Sequence, residues 1–230
     1  MAANENQLIE MLPGAERQAL LVHCESVELM LADTVGDSVL PVPQVYFPVD
    51  GFVSLLTSVD RHPGLETAMV GREGMLGHEV ALGRMPPAQR VLLQGNGRAW
   101  RVSGPEFVRQ LASSPALRHC VERYMCTQLS QLAIAAACLR FHRIGARLAR
   151  WLLMGHDRAH ADSFHVTHEL LAQMLGVRRV GITTAAGALQ RAGMIEYHRG
   201  TLRVCNRSAL ELSACSCYAA DQQAYQRLLG

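Results

Sequence analysis

At 230 residues, 49% apolar and 18% charged, the chain has room for one large core or two modest ones, and its composition excludes a disordered or collagen-like polymer. The opening MAANENQLIEML carries two acids and no Arg, and no run approaches the roughly 20 apolar residues of a membrane span, so a cytoplasmic protein without membrane contact is expected. All 22 basic side chains are Arg and they are unevenly placed: residues 1–139 hold 10 Arg against 14 acids (−4), residues 140–207 hold 11 against 4 (+7), and the last 23 give −1. An acidic front half joined to a basic rear segment is the electrostatic footprint of a module that meets a polyanion.

A short helical start is predicted around Leu8 to Leu21. Between residues 27 and 103 come six strand-like runs, VELML, QVYFPV, FVSLLTSV, LETAMV, RVLLQ and RAWRV, broken by Gly, Pro and Asp. This spacing suggests an antiparallel sandwich or barrel. From Pro105 the texture changes. Leu117, Val121, Tyr124, Gln128, Leu132, Ala135 and Leu139 recur every three or four residues, which predicts one long helix. Such a seam is buried most simply against a copy of itself, so a homodimer through residues 117–139 is expected.

The stretch ELLAQMLGVRRVGITTAAGALQRAGMI predicts a helix-turn-helix. Ala172, Gly176 and Ile182 stand at A-x3-G-x5-I spacing: the small Ala lets two helices cross closely, Gly permits a left-handed turn, and Ile buries the second helix on the first. Thr167 caps the first helix and Gly193 ends the second. MIEYHRGTLRV then alternates about a turn at Arg199-Gly200, as a wing would. Arg178 and Arg179 fall at the start of the second helix, where guanidinium groups reach guanine edges or phosphate. Thr183 and Thr184 lie one turn on, within reach of bases, while Arg199 and Thr167 suit phosphate.

A β domain, a long helix and a winged helix, in that order, resemble the Crp/Fnr family of bacterial transcription regulators. VTHELLAQMLGVRRVGITTAAGALQRAGMI carries most of the resemblance, with weaker support from VYFPVDGFVSLL and GREGMLG. It implies an α+β fold: a cyclic-nucleotide-binding-like β-roll sensor domain over 1–115, a dimerisation helix over 116–140 and a winged helix-turn-helix DNA-binding domain over 141–230. It also implies a homodimer on two-fold-symmetric sites in double-stranded DNA, RNA polymerase as a further partner, and a small-molecule or redox effector in the β domain. Arg179 matches the family's arginine near the recognition-helix start, whereas Val180 stands where glutamate is common and Thr184 where a second arginine often lies. A ligand-binding or scaffold protein of the same fold, without sequence-specific DNA binding, is the alternative.

Cyclic-nucleotide readers of this fold pair Gly-Glu on the ribose with Arg-Ser or Arg-Thr on the phosphate. Here His78 follows Gly77, and Gln89-Arg90-Val91 lacks the hydroxyl, so a phosphate would be poorly held. Gly77, His78, Glu79 and Arg90 are the effector-pocket residues this alignment leaves, with Glu79 and Arg90 as a displaced clamp and His78 as a haem ligand or a plain surface residue. One N-terminal cysteine, Cys24, is too few for an iron–sulfur sensor. The histidines of GHDRAHADSFHVTH are expected in a solvated linker. Cys215 and Cys217, grouped with Cys205, could oxidise or bind a soft metal, but packed or free thiols are the simpler expectation. Without a Ser/His/Asp elbow, a P-loop or a paired-histidine cupin site, no catalytic residue, metal or cofactor is expected and the protein is not expected to be an enzyme.

Overall fold

The computed structural model describes residues 6–29, 43–60, 62, 64–83, 90–159 and 161–229. Two short helices open the chain, α1 (Gln7–Glu10) and α2 (Gly14–Leu21), parted at Pro13, which lacks the N–H needed to continue α1. Six strands follow: β1 (Glu25–Leu29), β2 (Gln44–Pro48), β3 (Val53–Thr57), β4 (Leu65–Val70), β5 (Arg90–Leu93) and β6 (Gly97–Ser103). Each overlaps one of the six strand-like runs; β1 begins two residues before VELML, whose Met30 and Leu31 lie outside the described residues. They form two three-stranded antiparallel sheets, ordered β1-β6-β2 and β4-β3-β5. Leu29, Tyr46, Val53, Leu55, Val91, Leu93 and Ala99 fill the space between them, so the β-roll has an apolar interior.

Helices α3 (Gly104–Ser113) and α4 (Pro115–Phe141) come next. The hydroxyl of Ser114 accepts from the Leu117 amide and caps α4. The α4 stripe divides in two. Leu117, Val121, Tyr124 and Gln128 are buried against the protein's own β domain, with the Tyr124 hydroxyl donating to the Met75 carbonyl at 3.0 Å and accepting from Gln128 at 2.7 Å. Beyond them Leu129, Leu132, Ala133, Ala136 and Leu139 are exposed. The seam of the sequence is therefore two faces: one intramolecular, and one exposed apolar strip along the second half.

The remainder comprises α5 (Ile144–Ala159), β7 (Ser163–His165), α6 (His168–Leu175), α7 (Arg179–Arg191), β8 (Ile195–His198), β9 (Thr201–Val204), α8 (Arg207–Ser213) and α9 (Cys217–Leu229). Strands β7-β9-β8 make the wing sheet. Among the described residues no helix is long and apolar enough to cross a membrane.

Helix α5 is buried nearly all round: Arg147, Leu148, Ala149, Trp151, Leu152, Leu153, Gly155 and Arg158 are inaccessible. One side packs on α7. The other lies on the outer face of the β4-β3-β5 sheet, so Phe52, Leu56 and Met69 belong to the same core as Leu148, Leu152, Leu175 and Ile182. A shift of register between Leu55 and Leu56 is a β-bulge, the kind of irregularity that re-aims neighbouring side chains. One ion pair fixes the docking: Arg158 Nε donates to Glu73 at 2.6 Å, both largely buried. A second ties α5 to α9, with Arg150 Nε donating to Asp221 at 3.0 Å. Helix α9 starts in the winged-helix core at Tyr218 and then leaves it. It runs back along α4, Tyr225 donates to the Glu73 carbonyl, and Leu229 joins the core formed by Leu8, Leu12 and Phe107.

Glu66 sits at this interface. The Trp151 indole donates to its Oε1 at 2.8 Å, while Oε2 makes no close hydrogen bond among the described residues. Burial pushes the Glu66 carboxyl up to about 7, and the neighbouring Ser54, Trp151, Arg158 and Arg150 offset this only in part. An acid that binds its proton more tightly when folded contributes stability that is complete below the ordinary carboxylate range and is lost as pH rises through about 7. Glu66→Gln retains an acceptor for Trp151 without a charge. Thermal melts of both proteins across this range should show the wild type losing on the order of 2 to 3 kcal/mol relative to the variant; parallel pH profiles would place Glu66 outside the titrating groups.

Candidate nucleic-acid interface

The helix-turn-helix is built as its residues dictate. The Thr167 hydroxyl accepts from the Leu170 amide at 3.1 Å and caps α6. Gly176 ends it in the left-handed conformation at φ 62°, which a side chain would resist. Leu171, Ala172, Ile182, Ala186 and Leu189 face inward. Arg147 of α5 donates to the Leu175 carbonyl, so the last turn of α6 is tied to the helix that docks on the β domain.

Arg178 is the N-cap of α7 and Arg179 its first residue. Both are exposed, as are Val180, Thr183 and Thr184, and together they make one outward-facing surface. Arg179 Nε lies 3.7 Å from Glu169 of α6, with both side chains open to solvent; an exposed pair of this kind is worth little and yields readily to a stronger anion. The threonine hydroxyls are partly committed: Thr184 donates to the Val180 carbonyl at 2.9 Å, and Thr183 to the Arg179 carbonyl at 3.2 Å. Such back-bonding within a helix leaves the methyls as the freer groups.

Expected in a solvated linker, His168 is instead the first residue of α6. Its ring stacks on Tyr197 of β8 at 4.4 Å, and its Nδ1 lies 3.2 Å from the Thr183 hydroxyl. It thus joins α6, α7 and the wing. Burial, and secondarily Arg179, holds its pKa below the usual histidine value, so it is neutral at neutral pH. The signal was its place directly after the cap Thr167, on the side of α6 that faces α7.

The wing turn is a two-residue connection, with His198 paired to Thr201. Arg199 and Gly200 both take positive φ, 49° and 83°, as a type I′ turn requires. A Cβ at Gly200 would lie 2.6 Å from the His165 ring, so glycine is needed there. Arg199 holds a conformation that costs a non-glycine residue about 1 to 2 kcal/mol. In return its side chain is carried at the exposed tip of the wing.

The effector-pocket residues are not brought together in the same way. Gly77 adopts φ 77° before a short 3-10 helix, His78–Leu82. His78 Nε2 is 3.8 Å from Glu79, and its ring meets Tyr124 edge-on at 5.6 Å. Burial lowers its pKa, with Glu79 opposing. Arg90 opens β5 on the other sheet, opposite Leu56. No ion pair joins it to Glu79 among the described residues, and Gln89 lies outside them. A polar cleft lies elsewhere, of about 440 Å³ and bordered by Arg72, Glu73, Asp157, Arg158, Asp221 and Tyr225.

Nor do the histidines of residues 156–168 converge. His156 is in α5, 3.1 Å from Asp162 and 2.7 Å from Arg207, while His165 is on the wing sheet. The segment expected as a solvated linker is thus helix through Ala159, and His160 lies outside the described residues.

Residues 146–212 match the Crp-like helix-turn-helix domain model. The chain carries a Crp-like helix-turn-helix domain. Around it, the fold is that of the Crp/Fnr regulators. A Crp/Fnr-family protein from Eubacterium rectale superposes with a TM-score of 0.69 at 15% identity, over 91% of this chain and 99% of its own. A CRP-family transcriptional regulator from Thermus thermophilus gives 0.67 at 19% identity, over 82% and 96%. The c-di-GMP-responsive global regulator CLP of Xanthomonas campestris gives 0.65 at 18%, over 84% and 99%. At these identities the likeness is one of fold. No curated protein matches the sequence. The Crp-like domain begins inside α5 and ends in α8, so α9 and its return to the β domain lie beyond the matched segment.

Proposed function

We propose that the protein is a DNA-binding transcriptional regulator that reads two-fold-symmetric sites as a homodimer, with an effector acting through the β domain and RNA polymerase as its downstream partner. One observation carries this reading: the start of α7 presents Arg178 and Arg179 outward, with Thr183 and Thr184 a turn away, on a segment of local charge +7. Arg179 reads a guanine edge and Arg199 on the wing holds the backbone. The exposed strip of Leu129, Leu132, Ala133 and Ala136 on α4 supplies the dimer contact, and the small alanines let two such helices approach closely. The effector is not a cyclic nucleotide. Apolar side chains fill the β-roll, His78 replaces the ribose-binding carboxylate, and Arg90 has no hydroxyl-bearing neighbour at Val91.

The assignment of bases and phosphates is tested by half-site competition with Arg179→Ala and Arg199→Ala at two salt concentrations. Arg179→Ala should cost about 1 to 3 kcal/mol at one base pair and relax preference there. Arg199→Ala should weaken all duplexes alike and reduce the salt slope by about one unit. Equal weakening of every sequence by Arg179→Ala would transfer base reading to Arg178 or the threonines; no salt-dependent duplex binding by the wild type would favour the scaffold alternative.

Dimerisation is read separately. Leu132→Glu should shift light scattering from dimer toward monomer at micromolar concentration and reduce affinity for a full palindrome to that for one half-site. A wild-type monomer at that concentration would contradict the role given to α4.

A further inference from the structure

The pair Cys215-Ser216-Cys217 joins a different partner set from the one its sequence neighbourhood suggests. Cys205 is exposed just after β9. Instead the junction between α8 and α9 folds onto the end of α4. Cys138 Sγ comes 3.5 Å from Cys215 Sγ, and Cys217 Sγ comes 3.5 Å from Nδ1 of His142. His142 is the C-cap of α4, four residues after Cys138. The four ligand atoms all lie within 4.8 Å of one another. Cys138, Cys215 and Cys217 are buried, with Ile134 and Ala146 packed around them.

We propose that Cys138, His142, Cys215 and Cys217 form a four-coordinate site for a single zinc-type divalent ion at the joint between the long helix and the DNA-binding segment. Three thiolates and one imidazole are a common structural zinc set, and bonds of about 2.3 Å to sulfur and 2.0 to 2.1 Å to nitrogen bring tetrahedral ligands to spacings close to those seen. The mutual closeness of all four suits one ion rather than a larger cluster. A disulfide is the competing chemistry. It would need Cys138 and Cys215 to close to about 2.05 Å, and it would leave Cys217 and His142 without a role.

Ligands come from three places: the last turn of α4, the link to α5, and the segment leading into α9. The ion therefore clamps the C-terminal helix to the joint through which the winged helix is carried. Three thiolates with one divalent ion leave a single negative charge. Arg147 and Arg150 both lie within electrostatic reach of Cys138 and Cys215; Arg150 is already paired with Asp221, and Arg147 supplies the further positive charge. The site stands independently of the DNA reading, since none of its ligands belongs to α7.

The test uses the full chain, stripped of metal by chelator and kept reduced, then titrated with Co²⁺ and with Zn²⁺ alone. One Co²⁺ per chain should bind with the intense visible bands of tetrahedral thiolate coordination, and one Zn²⁺ should displace it. Cys217→Ser and His142→Ala should weaken binding by more than the about 100-fold that loss of a mere supporting contact costs, whereas Cys205→Ser and Cys126→Ser should leave it unchanged. A buried cysteine variant can fail to fold, so the wild-type cobalt spectrum decides on its own. A weak octahedral spectrum or substoichiometric binding by the reduced protein would overturn the proposal.

Discussion

The structure depends on the burial of α5 against the outer face of the β4-β3-β5 sheet. Helix α5 is hydrophobic or paired on every side: Leu148, Leu152 and Leu153 meet the helix-turn-helix core, and Trp151 and Gly155 meet Glu66 and Phe52 of the β domain. A helix buried all round has no face to spare for sliding, because protein interiors are close-packed and a displacement of one side chain is felt by its neighbours. The two halves of the chain consequently share a core instead of meeting at a thin polar interface.

That constraint sets how the DNA-reading surface is presented. The inward side of α7, with Ile182, Ala186 and Leu189, packs in the same core as α5, and Arg147 fastens the turn before α7 to that helix. The position of Arg178 and Arg179 in space thus follows from how α5 sits on the sheet. Charged groups at this joint act as stakes: removing Arg158 would leave Glu73 with the Gly71 amide but without its ion-pair partner. An effector that altered the sheet face, the Glu66–Trp151 contact or the cleft beside Arg158 would act on the recognition helix through a rigid body. A change of this kind needs a ligand that binds the two arrangements with different affinity.

Much of this was legible in the sequence because local chemistry decided it. The six strand runs, the cap at Thr167, the left-handed Gly176 and the Arg199-Gly200 turn each follow from residue types whose preferences act within a few positions. What was not legible depends on distant contacts. The stripe from Leu117 to Leu139 reads as one seam, yet its first half is buried by the protein's own β domain, and nothing in helical periodicity distinguishes an intramolecular partner from a second copy. The apolar run Phe52 to Leu56 held an overlooked signal: near-continuous burial on a strand means that both faces are covered, and the covering element proved to be α5. Glu79 and Arg90 are close in sequence, but Glu79 falls in the 3-10 helix His78–Leu82 and Arg90 in β5. Cys138 and His142 gave no local cue that Cys215 and Cys217, more than 70 residues on, would fold against them.

The shared core is tested most directly by native-state hydrogen exchange on Leu56→Ala. Leu56 lies in β3, far in sequence from α7, and truncating a buried leucine costs about 2 to 5 kcal/mol. A common core requires that the opening free energy of amides in residues 148–153 and 182–189 fall together with that of β3. Loss of protection confined to residues 44–103, with the α5 and α7 amides unchanged, would show that the two halves fold independently and that the recognition helix is not governed by the sheet.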